Sequence, residues 1–307
     1  MDQAVTLREK AKGFRGRALA PAGGAVPALA GGGAERAVRV TSVTSGKGGV
    51  GKTNVVANLA IALAQRGKRV MILDADLGLA NIDIVLGLKP IYTIKHVLRG
   101  ERSLAEVMIT GPHGVRILPA SSGVEELTRL TESEKIALLS ELESADLDVD
   151  ILLLDTSAGI SSNVMYFNCA SQEILVVATP EPTSITDAYA LMKVLSKRYD
   201  EKQFRLLVNA VKDVREAKVV YAKLSEVCER FLNVSLDYVG FVPRDPLLQE
   251  AVQQQRPLMD FAPESPAALQ FQRLAEVYLE KAPTARLKGN IQFFWKRLLW
   301  GQAAVGE

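Results

Sequence analysis

A glycine-rich segment near residue 50 has the residue types and spacing needed to bind phosphate. It begins at Gly46, reads Gly-Lys-Gly-Gly-Val-Gly-Lys-Thr, follows the apolar run 38–44 and opens the helical pattern 54–65. Glycines let backbone N–H groups converge on phosphate oxygens, and the helix N-terminus adds its dipole. Lys52 would reach the β- and γ-phosphates, and the Thr53 hydroxyl would bind Mg²⁺. The residues predicted to bind the nucleotide here are Gly46, Lys47, Gly48, Gly49, Val50, Gly51, Lys52, Thr53 and Asn54.

Carboxylates follow two other predicted strands. Asp74 and Asp76 come directly after the apolar run 69–73, and Asp155 follows the run 151–154. Because the carboxyl ends of parallel strands meet at one edge of a sheet, we expect these side chains near the phosphate loop. Asp155 is in the position to hold Mg²⁺, with Asp74 close to the metal. For any one of them, ordinary loop capping stays an alternative.

The elements that must position these residues follow from the pattern of apolar runs. Near-continuous apolar strands separated by helical stretches are typical of a parallel sheet covered on both faces. The sequence therefore predicts one doubly wound α/β domain of mostly parallel strands over residues 38–282. It is closed by a helix over 266–281 whose inward stripe is Leu269, Leu274, Val277 and Tyr278. The predicted strands are Val38–Thr44, Arg69–Leu73, Gly114–Leu118, Ile151–Leu154, Glu173–Ala178, Phe204–Asn209 and Leu236–Phe241.

The two chain ends have compositions unlike that of the domain. Residues 1–17 form a short N-terminal segment, and residues 18–37 are rich in Ala, Gly and Pro, which is typical of a flexible linker. Residues 283–307 comprise a second linker and a short basic amphipathic helix. At about 100° per residue, one face of that helix collects five apolar side chains. They are Ile291, Phe294, Trp295, Leu298 and Leu299.

This C-terminal helix suits an anionic lipid surface, because apolar side chains can enter the interface while Lys288, Lys296 and Arg297 meet the headgroups. Permanent packing against the domain is the alternative, since helical periodicity alone does not separate the two. No run reaches the ~18 apolar residues of a spanning helix, and the charged N-terminus does not fit a secretory signal. The sequence predicts a cytoplasmic protein whose membrane contact is peripheral.

Composition argues against several other classes of protein. The chain of 307 residues carries 37 Lys and Arg against 35 Asp and Glu, so it lacks the overall basic field typical of nucleic-acid binding. We expect no sequence-specific nucleic-acid partner. Cys169 and Cys228 lie outside any Cys-x-x-Cys pattern, which argues against a disulfide framework, an iron–sulfur centre or a zinc site. His96 and His113 lack metal-ligand spacing and are assigned no chemistry.

An ordinary phosphate-binding loop needs only one lysine, here Lys52, so Lys47 is an additional lysine. The string Lys-Gly-Gly-Val-Gly-Lys-Thr resembles the deviant Walker A motif of the MinD/ParA/ArsA group of P-loop ATPases. In that group the first lysine reaches the nucleotide held by a partner subunit, so the resemblance implies an ATP-dependent homodimer. It also implies slow, Mg²⁺-dependent ATP hydrolysis in which Lys47, Lys52 and Asp76 are catalytic, with Asp76 orienting the attacking water.

The resemblance extends along the domain. It places Asn81, Glu181 and Asp187 with Lys47 at the dimer interface, although Ser184 and Asp187 also fit a capping box. Asn209 matches an asparagine that binds adenine, and the segment from residue 240 matches a Val-Pro-Glu/Asp loop at the same base. The residues that this second match assigns to the nucleotide are Val242, Pro243, Arg244 and Asp245.

The N-terminus resembles that of one branch of MinD-like ATPases, the FlhG group. Its Asp-Gln-Ala-x-x-Leu-Arg motif, through which that group stimulates the GTPase FlhF, matches Asp2, Gln3, Ala4, Leu7 and Arg8. The resemblance implies control of flagellar number or placement. The implied partners are FlhF, flagellar C-ring proteins or a flagellar transcription activator, and the anionic inner membrane surface. The alternative is that these residues are an ordinary polar N-terminus without this role. The chain would then be a MinD- or ParA-like protein that positions the division site, a cargo or DNA.

Overall fold

The computed structural model describes residues 38–76, 81–119 and 147–281. Their strands form one eight-stranded sheet in the order β3-β4-β2-β5-β1-β6-β7-β8. Every neighbouring pair is parallel except β3 with β4 at the edge. The strands are β1 (Arg39–Ser45), β2 (Val70–Ala75), β3 (Ile109–Thr110), β4 (Arg116–Leu118), β5 (Ile151–Ala158), β6 (Glu173–Ala178), β7 (Gln203–Val211) and β8 (Ser235–Pro243).

Helices connect the strands and cover both faces of the sheet. A short 3₁₀ turn, Pro112–Gly114, joins β3 to β4. The α-helices are α1 (Lys52–Ala64), α2 (Ile82–Val85), α3 (Ile94–Leu98), α4 (Leu104–Val107), α5 (Ser162–Ala170), α6 (Pro182–Tyr199), α7 (Val214–Leu232), α8 (Pro246–Gln253), α9 (Leu258–Phe261) and α10 (Pro266–Glu280).

The core lies in layers on the two sides of the sheet. On one side α1, α2 and α8 to α10 pack on strand residues such as Val43 and Val177. On the other side α3 to α7 pack on the alternate residues of the same strands, such as Leu154 and Val176. Burial of both strand faces explains why the strands read as apolar runs rather than as alternating patterns.

A buried ionic cluster lies where β1 and β6 begin, at the end of the sheet opposite the phosphate loop. The Glu173 carboxylate accepts hydrogen bonds from Arg39 Nε at 3.0 Å and from Thr41 Oγ1 at 3.1 Å, and it pairs with Arg205 at 3.0 Å. The Arg39 guanidinium lies 3.6 Å from the ring centroid of Tyr278 in α10. The cluster thus ties the start of β1 to the last turns of α10.

The structure confirms the predicted fold class, a mostly parallel sheet wrapped by helices. The edge strand β3 was not predicted, because two residues are too short to give an apolar pattern. The prediction that Leu269 faces inward is wrong: it is 45% exposed, while Leu274 and Tyr278 are buried. The divisions at residues 17, 37 and 282 stay predictions. None of the helices in the described ranges has the length and apolar character needed to span a lipid bilayer.

Candidate functional site

The glycine-rich loop lies between β1 and α1, as its sequence context predicts. Gly49 and Gly51 have φ angles of 76° and 88°, a left-handed conformation that glycine adopts without strain. A Cβ atom on Gly46 would lie 2.0 Å from the carbonyl oxygen of Asp187 in α6. The loop therefore needs glycine for its backbone conformation at two positions and for close packing at another.

Lys52 begins α1 and lies beneath this loop with 8% of its surface exposed. Burial lowers the pKa of its ammonium group, while the negative charges of Asp155 and Asp76 act in the opposite direction. The site thus holds a cation whose charge is only partly solvated. The negative charge of a bound polyphosphate would compensate the positive charge of Lys52.

Asp74 and Asp155 are partners in the parallel pairing of β2 with β5, and both are buried. Burial, together with the negative charge of the neighbouring Asp155, raises the pKa of Asp74 to about 8. Burial likewise raises the pKa of Asp155 to about 7, against a hydrogen bond from Thr53 and the charge of Lys52. Asp76 follows the strand: its N–H donates to Asp74 Oδ1 at 3.1 Å, and Ser157 Oγ donates to its Oδ1 at 2.8 Å.

The chemistry of these donors fits Mg²⁺. Asp155 Oδ1 is buried and has no hydrogen-bond partner within the described ranges. The Thr53 hydroxyl lies within hydrogen-bonding distance of the same carboxylate. Mg²⁺ is commonly held by one or two carboxylates together with substrate phosphates, and a nearby divalent cation would favour the ionised form of both aspartates.

The additional lysine is held at the exposed rim of the loop. Lys47 Nζ lies 2.5 Å from Glu181 Oε2 and 2.9 Å from Thr183 Oγ1, so it contacts the first turn of α6. The hydrogen bond from Lys47 is the main cause of a lowered pKa at Glu181. Asp187 lies one to two turns further along α6, and Asn81 precedes α2. The pair of Lys47 and Glu181 is formed within one subunit.

A cleft of about 550 Å³ opens beside the phosphate loop. Asn209 lines it and is 7% exposed, and its side-chain amide donates to the carbonyl oxygen of Val50 at 2.7 Å. Among the predicted base-binding residues, Pro243, Arg244 and Asp245 also line the cleft. Asn209 thereby joins the end of β7 directly to the loop. The cleft has the position and size expected for the nucleoside part of a nucleotide.

Residues 41–258 match the CobQ/CobB/MinD/ParA nucleotide-binding domain, a span that covers more than half of the chain. The chain belongs to this family. It is 45% identical to antiactivator FleN of Pseudomonas aeruginosa over 85% of its own length and 94% of FleN. It is 35% identical to the flagellum site-determining protein YlxH of Helicobacter pylori, over 84% and 88% of the two chains. The protein is therefore a P-loop ATPase of the MinD/ParA type.

Solved structures of MinD proteins share its fold. The septum site-determining protein MinD of Pyrococcus horikoshii, complexed with Mg-ADP, is 28% identical with a TM-score of 0.60. The match covers 80% of this chain and 96% of that one. MinD of Aquifex aeolicus superposes with a TM-score of 0.64 at 24% identity, which supports the fold alone.

Two residues that were assigned to the nucleotide lie away from the lining of the cleft, so their assignment stays a prediction, and the capping box expected for α6 is absent. The side chain of Val242 is buried in the core rather than in the cleft. Asn54 lines a separate cavity beside α8. The capping box at Ser184 and Asp187 is wrong, because α6 begins at Pro182 and Ser184 Oγ accepts a hydrogen bond from the N–H of Thr179.

Two contributors to the site were not predicted. Ser157 holds Asp76, and Thr183 helps to hold Lys47. Ser157 lies two residues after Asp155, so its position was a usable signal, whereas Thr183 depends on how α6 packs. The predicted partner motif (Asp2, Gln3, Ala4, Leu7, Arg8) and membrane face (Ile291, Phe294, Trp295, Leu298, Leu299) lie outside the described residues.

Proposed function

We propose that this MinD/ParA-type ATPase is a dimerising switch that is recruited to the membrane and regulates flagellar number or placement. The observation that carries the switch is the position of Lys47. It lies at the exposed rim of the loop, in contact with Glu181, while Lys52 already supplies the buried cation of an ordinary phosphate site. Because Lys52 fills this role, Lys47 is available to contact a nucleotide that is bound by a second subunit.

Within one subunit, the chain's own residues position ATP and water. The loop N–H groups and Lys52 would hold the phosphates, while Thr53, Asp155 and Asp74 would hold Mg²⁺, whose charge would neutralise developing phosphate charge. Asp76, fixed by Ser157, orients the water for in-line attack on the γ-phosphate. No side chain forms a covalent intermediate, so the rate depends on positioning and electrostatics.

Dimer formation requires a change of partner for Lys47. The lysine leaves Glu181 and reaches the nucleotide of the second subunit, while Glu181, Asp187 and Asn81 line the contact between subunits. Glu181 and Lys47 are both partly exposed, so their ion pair is a weak restraint that a polyphosphate can outcompete. ATP thereby favours the dimer, and hydrolysis ends it.

The same switch would control the C-terminal membrane face. A groove of about 600 Å³ lies between α7 and α10, with Val214 42% and Leu269 45% exposed. The exposed apolar side chains in this groove support docking of the 291–299 face in the monomer, and we propose its release in the dimer. Two released helices on one dimer raise avidity for the anionic inner leaflet, so the protein would be cytoplasmic and reversibly membrane-bound.

Similarity to FleN and YlxH supports the flagellar role. The partners that we propose are the GTPase FlhF and flagellar C-ring proteins or a flagellar transcription activator. Division-site positioning is the second candidate. The septum site-determining protein MinD of Helicobacter pylori is 30% identical over 83% of this chain, which favours it among the alternatives.

Co-sedimentation with phosphatidylglycerol vesicles in ATP or ADP tests the switch. We expect more binding of the wild-type protein in ATP, and equal binding in both nucleotides for Lys47→Ala, because that variant cannot dimerise. Lys197→Ala on the exposed side of α6 is the matched control for Lys47→Ala. Leu298→Glu should abolish binding, whereas Gln292→Glu, with the same charge change, should keep it. Equal binding of the wild-type protein in ATP and ADP would contradict the proposed switch.

A further inference from the structure

The chain at the end of β5 makes hydrogen bonds toward both neighbouring strands, β2 and β1. On the β2 side, Ser157 Oγ donates to Asp76 Oδ1 at 2.8 Å. On the β1 side, the N–H of Gly159 donates to the carbonyl oxygen of Ser45 at 2.9 Å. The end of β5 therefore joins Asp76 to the point where the phosphate loop begins.

The same connection reaches Lys47. Ser45, the last residue of β1, is fully buried, and its hydroxyl donates to the carbonyl oxygen of Lys47 at 2.7 Å. Three hydrogen bonds thus connect Asp76 to the backbone of Lys47. They pass through Ser157, Gly159 and Ser45, which form the β5 bridge. The family resemblance assigns roles to Asp76 and Lys47 but none to Ser157.

The link at Ser157 depends on a single hydroxyl group. Asp74 pairs with Asp155 across β2 and β5, so Asp76 and Ser157 are the next pair on the same face of the two strands. A serine hydroxyl has one proton to donate, and Ser157 donates it to Asp76. The N–H of Asp76 donates to Asp74 Oδ1 at 3.1 Å, so the backbone and the carboxylate of Asp76 are both held.

A fixed carboxylate at Asp76 matters more for the reaction than for binding. The glycine-rich loop and Lys52 would contact the phosphates before and during the reaction, whereas the attacking water has to be aligned only for the chemical step. An interaction that is needed only in the transition state changes kcat and leaves the affinity for the substrate unchanged.

We propose that Ser157 is a positioning residue for ATP hydrolysis. Its hydroxyl sets kcat by holding Asp76, and the β5 bridge ties that carboxylate to the loop that carries Lys47. This inference rests on the proposed function, in which Asp76 orients the attacking water. The side chain at residue 157 would then set how long the ATP-bound dimer lasts without affecting how it forms.

Phosphate release measured over a range of ATP concentrations, together with sedimentation velocity in Mg²⁺ and ATP, tests the assignment on the full-length protein. Ser157→Ala should lower kcat about tenfold, while the KM for ATP stays unchanged and the fraction of dimer does not fall. Ser157→Thr keeps the hydroxyl and should retain most of the wild-type kcat. Ser162→Ala, at an exposed serine in the first turn of α5, is the matched control.

Ser45→Ala tests the rest of the β5 bridge, because it removes the hydrogen bond to the carbonyl oxygen of Lys47. It should lower kcat on its own. The double variant with Ser157→Ala should lose less than the product of the two separate losses, because both changes interrupt one connection. Losses that multiply would overturn the connection between Asp76 and Lys47.

An unchanged kcat in Ser157→Ala would overturn the inference and leave the proposed function intact. Parallel losses of kcat, ATP affinity and dimer would also overturn it, because they would show a general structural role. A wild-type protein that neither hydrolyses ATP nor dimerises with it would overturn both. If Ser157→Ala unfolds at a lower temperature than the wild-type protein, Ser157→Thr and Ser157→Val repeat the comparison, since these two side chains differ only by a hydroxyl against a methyl group.

Discussion

Asp74 and Asp155 are buried side by side at the ends of β2 and β5, so ionising them without a bound cation is costly. The folded protein holds both protons more tightly than the unfolded chain does. Raised folded pKa values give stability that is present below pH about 4 and is lost as the pH rises through about 7 and about 8. A cation bound together with the nucleotide would offset the free-energy cost of ionising the two buried aspartates.

Asp155→Asn separates these two effects. Without nucleotide, we expect the free energy of unfolding of the wild-type protein to fall between pH about 5 and about 7 by up to about 1.4 kcal/mol per pH unit for Asp155. Asp155→Asn should lack the part of this decrease that comes from Asp155, because an asparagine side chain has no proton to release. Denaturant unfolding measured across this pH range gives both slopes.

With Mg²⁺ and ATP at pH about 8, the wild-type protein should be stabilised and Asp155→Asn should not, because the carboxylate that the metal needs is missing. Asp200→Asn, at an exposed helix end, should match the wild-type protein in both experiments. Identical pH slopes in the wild-type protein and Asp155→Asn would contradict a raised pKa at Asp155.

Much of this chemistry could be predicted because it is local in sequence. The loop lysine and the aspartates at strand ends need only a strand, a turn and a helix in the right order. The contact of Ser157 with Asp76 and the burial of Val242 could not be predicted, because both depend on strand pairing and on which face of a strand is inside. Lys47 could be recognised as additional, but its contact with Thr183 depends on the packing of α6.

At the scale of elements, the end of β1 and the helix α6 meet without space for a side chain. Gly46→Ala places a Cβ atom 2.0 Å from the backbone oxygen of Asp187, so either the loop or α6 must move. We expect a loss of about 2 kcal/mol in the free energy of unfolding without nucleotide, measured by urea denaturation.

Gly48→Ala is the matched control, because a Cβ atom there meets nothing within 4 Å and the residue has no positive φ. Its change in stability should stay within about 0.5 kcal/mol. Equal losses for the two variants would show that loop flexibility, rather than contact with α6, decides the effect. The comparison also measures how firmly α6, which holds Lys47, is joined to the phosphate loop.

Element boundaries were predicted less well than element types. The seven predicted strands are present, and several extend further because backbone pairing continues past the apolar run, as in β5 to Ala158. The start of α6 was missed because Pro182 suits the first turn of a helix, while Ser184 satisfies a strand end instead. Leu269 was assigned inward from periodicity, which does not show what lies opposite a helix face.

At the scale of the whole molecule, the N-terminal motif predicts stimulation of a GTPase, an activity that the folded domain alone does not predict. The full-length protein should raise the GTPase rate of FlhF, and a variant that lacks residues 1–36 should not, because the motif is then absent. Gln3→Ala should lose most of the stimulation, whereas Thr6→Ala, outside the matched positions, should keep it. Phosphate release by FlhF is the measurement.

Stimulation by neither the full-length nor the truncated protein would remove the flagellar assignment. It would leave an ATP-gated membrane switch and favour division-site or cargo positioning as its role. Stimulation by both would place the activating surface in the folded domain rather than at the N-terminus.

The contact of Arg39 with Tyr278 also brings together the first and last elements of the described domain. Residues 1–37 join β1 next to Arg39, and residues 282–307 leave α10 one turn after Tyr278, so both attachments share one corner. The seven residues of β1 separate that corner from the phosphate loop, a height of about 20 Å. Any contact made through the C-terminal segment would therefore start from the end of the sheet that lies opposite the phosphate loop, about 20 Å from it.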